Sequence, residues 1–226
     1  MPIQELQLTP VARIRSDFPA KFGIPRQSGL VPELTAHVVF EPEFRSPDLV
    51  RGIEGFSHLW LLWVFSEHIE EGWSPTVRPP RLGGNGRVGL FATRTPFRPN
   101  PIGLSAVELL KVESHPEGTI LTVGGADLMD GTPIIDIKPY VPTDAIRGFR
   151  SGFVDSSPRE PIAVEVPPEL EARVPPQHRM ALRGILAQDP HPAYQHDPAR
   201  VYSMTFADFE VDFQVNDRRV RVVNIR

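Results

Sequence analysis

The 226-residue sequence predicts a mainly β fold, a barrel or sandwich followed by a small α+β body, and three observations point there. Its 26 prolines and 17 glycines are spread along the chain, which favours short elements joined by stiff turns. Roughly seven β-branched or alternating apolar runs fall before residue 142. No glycine-rich turn leads from a strand into a helix, so the usual dinucleotide-type fingerprint of alternating βα units is missing.

In chain order, residues 11–15 (VARIR) and 35–40 (TAHVVF) read as the first strands. Residues 56–65 (FSHLWLLWVF) are nearly all apolar, as a strand buried on both faces would be; the aromatics and the flanking Gly55 favour strand over helix. Strands are expected again at 87–92, 104–112, 119–124 and 134–141. Composition then shifts. Residues 142–176 are rich in Pro, Ser and Gly, with Pro167-Pro168 and Pro175-Pro176 as stiff punctuation, and read as a connector. Met180, Ala181, Leu182, Ile185 and Leu186 give residues 177–188 a helical period that stops at Asp189-Pro190. Phe209, Val211, Phe213 and Val215 alternate, Asn216-Asp217 offers a turn, and residues 219–225 return as a second strand. The expected organisation is a barrel domain over 1–142, a connector over 143–176 and an α+β domain over 177–226.

Composition narrows the function. Hydrophobic residues make up 40% and charged residues 23%, as in an ordinary soluble protein. No apolar run has the length of a membrane span, and Met1-Pro2-Ile3-Gln4-Glu5 lacks the layout of a signal peptide. There is no cysteine, which excludes a disulfide scaffold, a thiol nucleophile and a thiolate-bound metal, and suits the cytoplasm. The seven histidines never fall at a metal-ligand spacing, Ser57 and Ser105 lack a nucleophile-elbow context, and there is no P-loop. Neither a metal nor hydrolase chemistry is expected.

The net charge of −4 argues against a protein that coats nucleic acid, yet residues 72–107 hold no Asp or Glu while carrying Arg78, Arg81, Arg87, Arg94 and Arg98. With only three lysines in the chain, the cationic chemistry is that of guanidinium, whose planar fork suits phosphate and carboxylate. The stretch is either an anion site or a solvated basic loop.

Three polar clusters interrupt the apolar pattern. Gly23-Ile24-Pro25-Arg26-Gln27-Ser28-Gly29 is a shaped loop with donors at Arg26 and Gln27. In residues 93–103 (TRTPFRPNPIG), Pro96, Pro99 and Pro101 remove backbone donors and stiffen a loop that carries Arg94, Arg98 and Asn100, as a preorganised clamp would. Asp127-Leu128-Met129-Asp130-Gly131-Thr132-Pro133 is a turn with two carboxylates, followed by Asp136-Ile137-Lys138.

These clusters, together with Gly55-Phe56-Ser57-His58-Leu59-Trp60, Phe65-Ser66-Glu67, Phe91-Ala92-Thr93-Arg94 and residues 134–140, occur in an order that closely resembles the TsaA-like family, also called TrmO. The resemblance covers roughly residues 8–142; Ile185 to Pro190 and Pro192-Ala193-Tyr194 extend it to the C-terminal domain of bacterial members. It implies a TsaA-like β-barrel methyltransferase domain with a small α+β C-terminal domain, active as a homodimer with S-adenosylmethionine. The implied substrate is N6-threonylcarbamoyladenosine beside the anticodon of tRNA, methylated on N6. Carried over to matching positions, the implied cofactor contacts are Pro25, Arg26, Gln27, Ser66, Glu67, Arg94, Leu104, Asp127, Leu128, Met129 and Asp130. One departure is the acidic run Asp208-Phe209-Glu210-Val211-Asp212 where bacterial relatives are more basic. Methyl transfer from a sulfonium arrives already activated, so the protein mainly positions its substrates, which fits the lack of a nucleophile, metal or triad. Asp130, Asp136 and Tyr140 are candidates by type for taking the N6 proton. The alternatives are a noncatalytic RNA-binding barrel and a methyltransferase of a small adenine-like metabolite.

Overall fold

The protein is described from a computed structural model, which places residues 6–82, 86–156, 160–192, 195 and 197–226. Ala193 and Tyr194 of the C-terminal motif and the opening residues 1–5 lie outside the described residues. The strands are β1 (Ala12–Ser16), β2 (Thr35–Phe40), β3 (His58–Val64), β4 (Thr76–Val77), β5 (Val88–Gly89), β6 (Ile102–His115), β7 (Gly118–Gly124), β8 (Pro133–Pro139), β9 (Ala163–Glu165), β10 (Tyr202–Phe206), β11 (Phe209–Asn216) and β12 (Arg219–Ile225). The helices are α1 (Phe153–Ser156), α2 (Pro168–Glu171) and α3 (Pro176–Ala187).

Six strands close an antiparallel barrel in the order β1-β2-β7-β6-β3-β8. Successive side chains of a strand point to opposite faces, so alternate residues fill the interior. Ala12 and Ile14, Ala36 and Val38, Leu59 and Leu61, and Leu121 and Val123 are all nearly inaccessible there. The expected double burial of β3 is not met. Only Leu59, Leu61 and Trp63 are buried, whereas Trp60, Leu62 and Val64 are half-buried on the outer face. That outer face continues onto β6, where Ile102, Leu104 and Leu110 are exposed; Trp60 at its edge packs on Tyr140, and the stretch around Leu62, Val64, Ile102 and Leu104 forms an apolar sheet face on the outside of the barrel.

Residues 87–92 form less strand than expected. Val88 and Gly89 pair only with β4 in a separate two-stranded ribbon, and Leu90–Ala92 turn into a 3-10 helix closed by the Thr93 amide on the Leu90 carbonyl. Phe91 is 81% exposed, so this run carries no inward face for a barrel strand. The second sheet has the order β10-β11-β12-β9, with α3 packed over it through Ala181, Leu182, Ile185 and Leu186. Neither β9 nor β10 was visible as a strand in the sequence. Part of the expected connector therefore belongs to the second core: β9 pairs in parallel with β12, and Val166, Leu170 and Val174 are buried beneath it. Short apolar anchors between prolines suffice for this because an edge strand needs only one neighbour.

Two carboxylates of the acidic run at β11 share one arginine. Arg226 donates from Nε to Glu210 Oε2 at 3.1 Å and also bonds Asp212, whose carboxyl is held below the usual range by Ser203, Arg226 and Asn224 against the opposing effect of burial.

Trp63 has a specific requirement at its neighbour across β6. A Cβ added to Gly103 would lie 2.3 Å from Trp63 Cε2, and a rigid indole inside a packed barrel has nowhere to go. Gly103→Ala is expected to cost about 1–3 kcal/mol as overpacking, read as a thermal midpoint several degrees lower. An unchanged midpoint would show that the ring does not lie on the glycine.

Candidate active site

The connection between β1 and β2, residues 17–34, and the turn after β7 come together at one end of the barrel. Gly29 and Gly125 both have positive φ, at 76° and 69°, a region that costs a β-carbon-bearing residue dearly. The Gly29 amide donates to the Gly125 carbonyl at 2.9 Å, and a Cβ on Gly125 would lie 3.1 Å from the Gly29 Cα. The Gly125 amide in turn donates to the Leu34 carbonyl at 2.8 Å. Two loops about a hundred residues apart in sequence thus touch backbone to backbone, as functional loops on a rigid scaffold do.

Arg94 reaches the same place from a third loop. Its guanidinium Nη1 donates to Gln27 Oε1. The loop that carries it is tied to itself: Thr93 Oγ1 donates to the Leu90 carbonyl, Arg98 Nη1 donates to the Thr93 carbonyl, each at 2.8 Å, and the Arg98 guanidinium lies over the Phe91 ring. The three prolines add stiffness without needing partners.

Behind these groups lies a polar relay inside the barrel wall. Trp63 Nε1–H donates to Ser105 Oγ at 3.0 Å, and the Ser105 hydroxyl donates to Asp127 Oδ1 at 2.6 Å. Ser105 is 1% exposed, on the inward parity of β6 between Gly103 and Val107. Burial pushes the Asp127 carboxyl above its ordinary value; Ser105, backbone amides including that of Ser28, and the positive charge of Arg94 act against that rise. A carboxylate, a guanidinium, a carboxamide and backbone amides therefore converge, a set that suits a zwitterionic ligand bearing both charges.

The other expected site residues fall as follows. Pro25 is buried and Arg26 exposed, at the tip of the loop that carries Gln27. Ser66 and Glu67 form a 3-10 turn directly after β3, where His68 meets the Phe97 ring edge-on at 4.9 Å, beside the proline-rich loop. Leu128 is 1% exposed and serves the barrel core, and Met129 is half-buried. Asp130 Oδ1 accepts the Ser16 amide at 3.0 Å, so its carboxylate holds the end of β1. Leu104 points to the outer face, opposite to Ser105. Of the other two candidates for proton acceptor, Asp136 pairs with Lys138 Nζ at 2.7 Å and Tyr140 packs on Trp60 near the start of β3, away from Trp63. Sequence reasoning missed Trp63 and set Ser105 aside. The available signal was a serine on the inward parity of a barrel strand, where a polar side chain needs a buried partner.

Among the described residues, no group of three or more His, Asp or Glu could hold a metal ion, and no helix is long and apolar enough to cross a membrane.

Comparisons with known proteins agree along the whole length. The model of the tRNA-methyltransferase O N-terminal domain matches residues 13–145, and that of the TrmO C-terminal domain matches residues 159–226. The tRNA (adenine(37)-N6)-methyltransferase of Escherichia coli is 43% identical over 224 residues, covering 95% of each chain. A probable S-adenosyl-L-methionine-binding protein of Methanothermobacter thermautotrophicus is 40% identical over 136 residues, 60% of this chain but 90% of that protein. The crystal structure of TrmO from Pseudomonas aeruginosa superposes with a TM-score of 0.79 at 32% identity, covering 100% of both chains. With both halves matched and the barrel reproduced, the chain belongs to the tRNA-methyltransferase O family.

Proposed function

We propose that this chain transfers a methyl group from S-adenosylmethionine to N6 of threonylcarbamoyladenosine at position 37 of tRNA, next to the anticodon. The observation that carries this reading is the convergence of Gln27, Arg94 and Asp127 at one end of the barrel in a member of this family. Arg94 and Gln27 take the cofactor's carboxylate, for which a guanidinium is the best-matched donor. Asp127 faces its positive charge. The Pro25–Gln27 loop, Ser66-Glu67 and the Asp127–Asp130 turn surround the rest with backbone groups. When bound, the cofactor supplies an activated methyl group, so the task left to the protein is positioning.

The barrel, residues 1–142 in this proposal, carries the chemistry. Within residues 72–107, Arg78 and Arg81 face the tRNA while Arg94 belongs with the cofactor; Arg78 is exposed, and Arg87 Nε is held on Thr76 Oγ1 at 3.0 Å. The apolar outer face of β3 and β6 is closed by a second copy of the chain, since a two-fold axis buries such a face against itself at no cost in new sequence. Leu104 then lies in the interface. The enzyme works in the cytoplasm, where tRNA is its partner. Transfer of labelled methyl groups into bulk tRNA tests the reading. Incorporation that requires threonylcarbamoyl-modified tRNA is the expected result, and binding of tRNA without any transfer would favour a noncatalytic barrel.

Asp127 makes cofactor binding depend on pH. Its raised carboxyl titrates above the ordinary carboxylate range, and only the ionised form meets a positive charge. Affinity should therefore be full above that raised value and fall as pH drops through it. Stability should run the other way across the same window, falling as pH rises, because burial favours the protonated form in the folded state. Asp127→Asn should flatten both trends while keeping the Ser105 contact. Calorimetric titration and thermal melts over the acid range check this; a variant with the wild-type pH profile would exclude Asp127 as the titrating group.

A further inference from the structure

We infer that the C-terminal body is the mount of the cofactor loop, so that it governs cofactor affinity without contributing an atom to the site. The inference rests on the reading that residues 25–27 hold S-adenosylmethionine. Its basis is the composition of the second hydrophobic core. Phe18, Val31 and Leu34, all from the β1–β2 connection, are buried among residues of α2, α3 and β10–β12, with Phe22 and Ile24 packed against them. These five side chains belong to the stem of the loop whose tip carries Arg26 and Gln27, and they are shared with the C-terminal sheet rather than with the barrel interior.

The contacts are close enough to transmit position. Phe22 stacks on Phe213 with ring centroids 6.3 Å apart, and Phe18 meets Phe206 at 5.6 Å. The Ala207 amide donates to the Asp17 carbonyl at 2.7 Å, and His178 Nδ1 lies 3.4 Å from the Asp17 carboxylate. Gly184 of α3 sits against Val31 so tightly that a Cβ there would be 2.6 Å from Val31 Cγ1. Gly23 has φ of 100° and would place a Cβ 3.0 Å from Met204 Sδ. Glycine is a poorer helix residue than alanine, so Gly184 is a place where contact with the loop outweighs helix propensity. Packed interfaces of this kind shift as units, and the loop tip follows its stem.

Gly184→Ala in the full chain tests this. The added methyl must push Val31, and with it residues 25–29, while the helix gains propensity. The expected result is a Kd for S-adenosylmethionine weakened roughly 5- to 30-fold with a nearly unchanged thermal midpoint, together with faster hydrogen exchange at the Gln27 and Ser28 amides. Val31→Ala added to Gly184→Ala removes the clashing methyl and should recover most of the affinity, which general destabilisation would not allow. Phe22→Ala, at a half-buried position, is the second variant and should weaken the cofactor in the same way. Wild-type affinity in both Gly184→Ala and Phe22→Ala would overturn the inference, as would a loss that tracks the thermal midpoint and is not rescued. Arg94→Ala separates the two levels. If it spares binding, the site reading itself fails; if it abolishes binding while neither Gly184→Ala nor Phe22→Ala weakens it, only the mount fails.

Discussion

Replacing Arg94 by alanine is expected to weaken S-adenosylmethionine binding by roughly 10- to 150-fold, the equivalent of about 1.5–3 kcal/mol for a hydrogen bond to a charged group. Arg94 is the charged donor of the cluster, it bonds Gln27 directly, and its charge is among the influences that keep the buried Asp127 ionised. Its loss removes the proposed ligand contact and lets the Asp127 carboxyl rise further, so the acid limb of binding should move to higher pH in the variant. Lysine at this position should recover the charge and only part of the affinity, because a point charge cannot reproduce the fork. The thermal midpoint should hardly change, since Arg94 is exposed. Calorimetry on the three proteins decides the matter; unchanged affinity in Arg94→Ala would remove the guanidinium from the site.

Leu62→Glu is expected to turn the proposed dimer into monomers and to abolish most of the activity. Leu62 stands opposite Leu104 in the β3–β6 register, on the outer apolar face. A carboxylate there would be buried without a partner in each copy, at several kcal/mol per ion, so association should weaken by roughly three orders of magnitude or more. In the monomer the glutamate reaches water and the barrel core is untouched, so folding should survive. Sedimentation velocity and the methyl-transfer rate measured on the same preparation check both halves. A wild-type chain that sediments as a fully active monomer at micromolar concentration would refute the assembly.

The barrel was legible in the sequence because its strands alternate. Thr35–Phe40 and Gly118–Gly124 fall within one residue of their expected limits, and α3 follows its helical period. The strand expected at 87–92 was overestimated, since Val88-Gly89 followed by exposed Phe91 has propensity but no face to bury, and its two-residue partner β4 was not expected. β9 and β10 were missed because three to five residues between prolines or in a polar stretch carry too little pattern. Among the residues proposed for the site, the sequence marked Gln27, Arg94 and Asp127 through the Gly- and Pro-rich loops that carry them, and the fold brings these three together. It gave no sign of Trp63, which reads as one more apolar residue of a strand, and Ser105 was visible only as a serine without a motif. Their roles depend on the register of β3 with β6, and register emerges only when the barrel closes. The shared core between the β1–β2 connection and the C-terminal sheet was likewise invisible, because it joins segments almost the whole chain apart.

Methylation of one nucleoside of tRNA is the activity proposed for this barrel. Bulk tRNA from cells lacking the modification, incubated with the protein and S-adenosylmethionine and then digested, gives the nucleosides for mass spectrometry. N6-threonylcarbamoyladenosine from position 37 should gain the mass of one methylene, with fragmentation placing the added methyl on N6, and Arg94→Ala should suppress the change. A methyl group found on another nucleoside, or on none although the cofactor binds, would contradict the proposed activity.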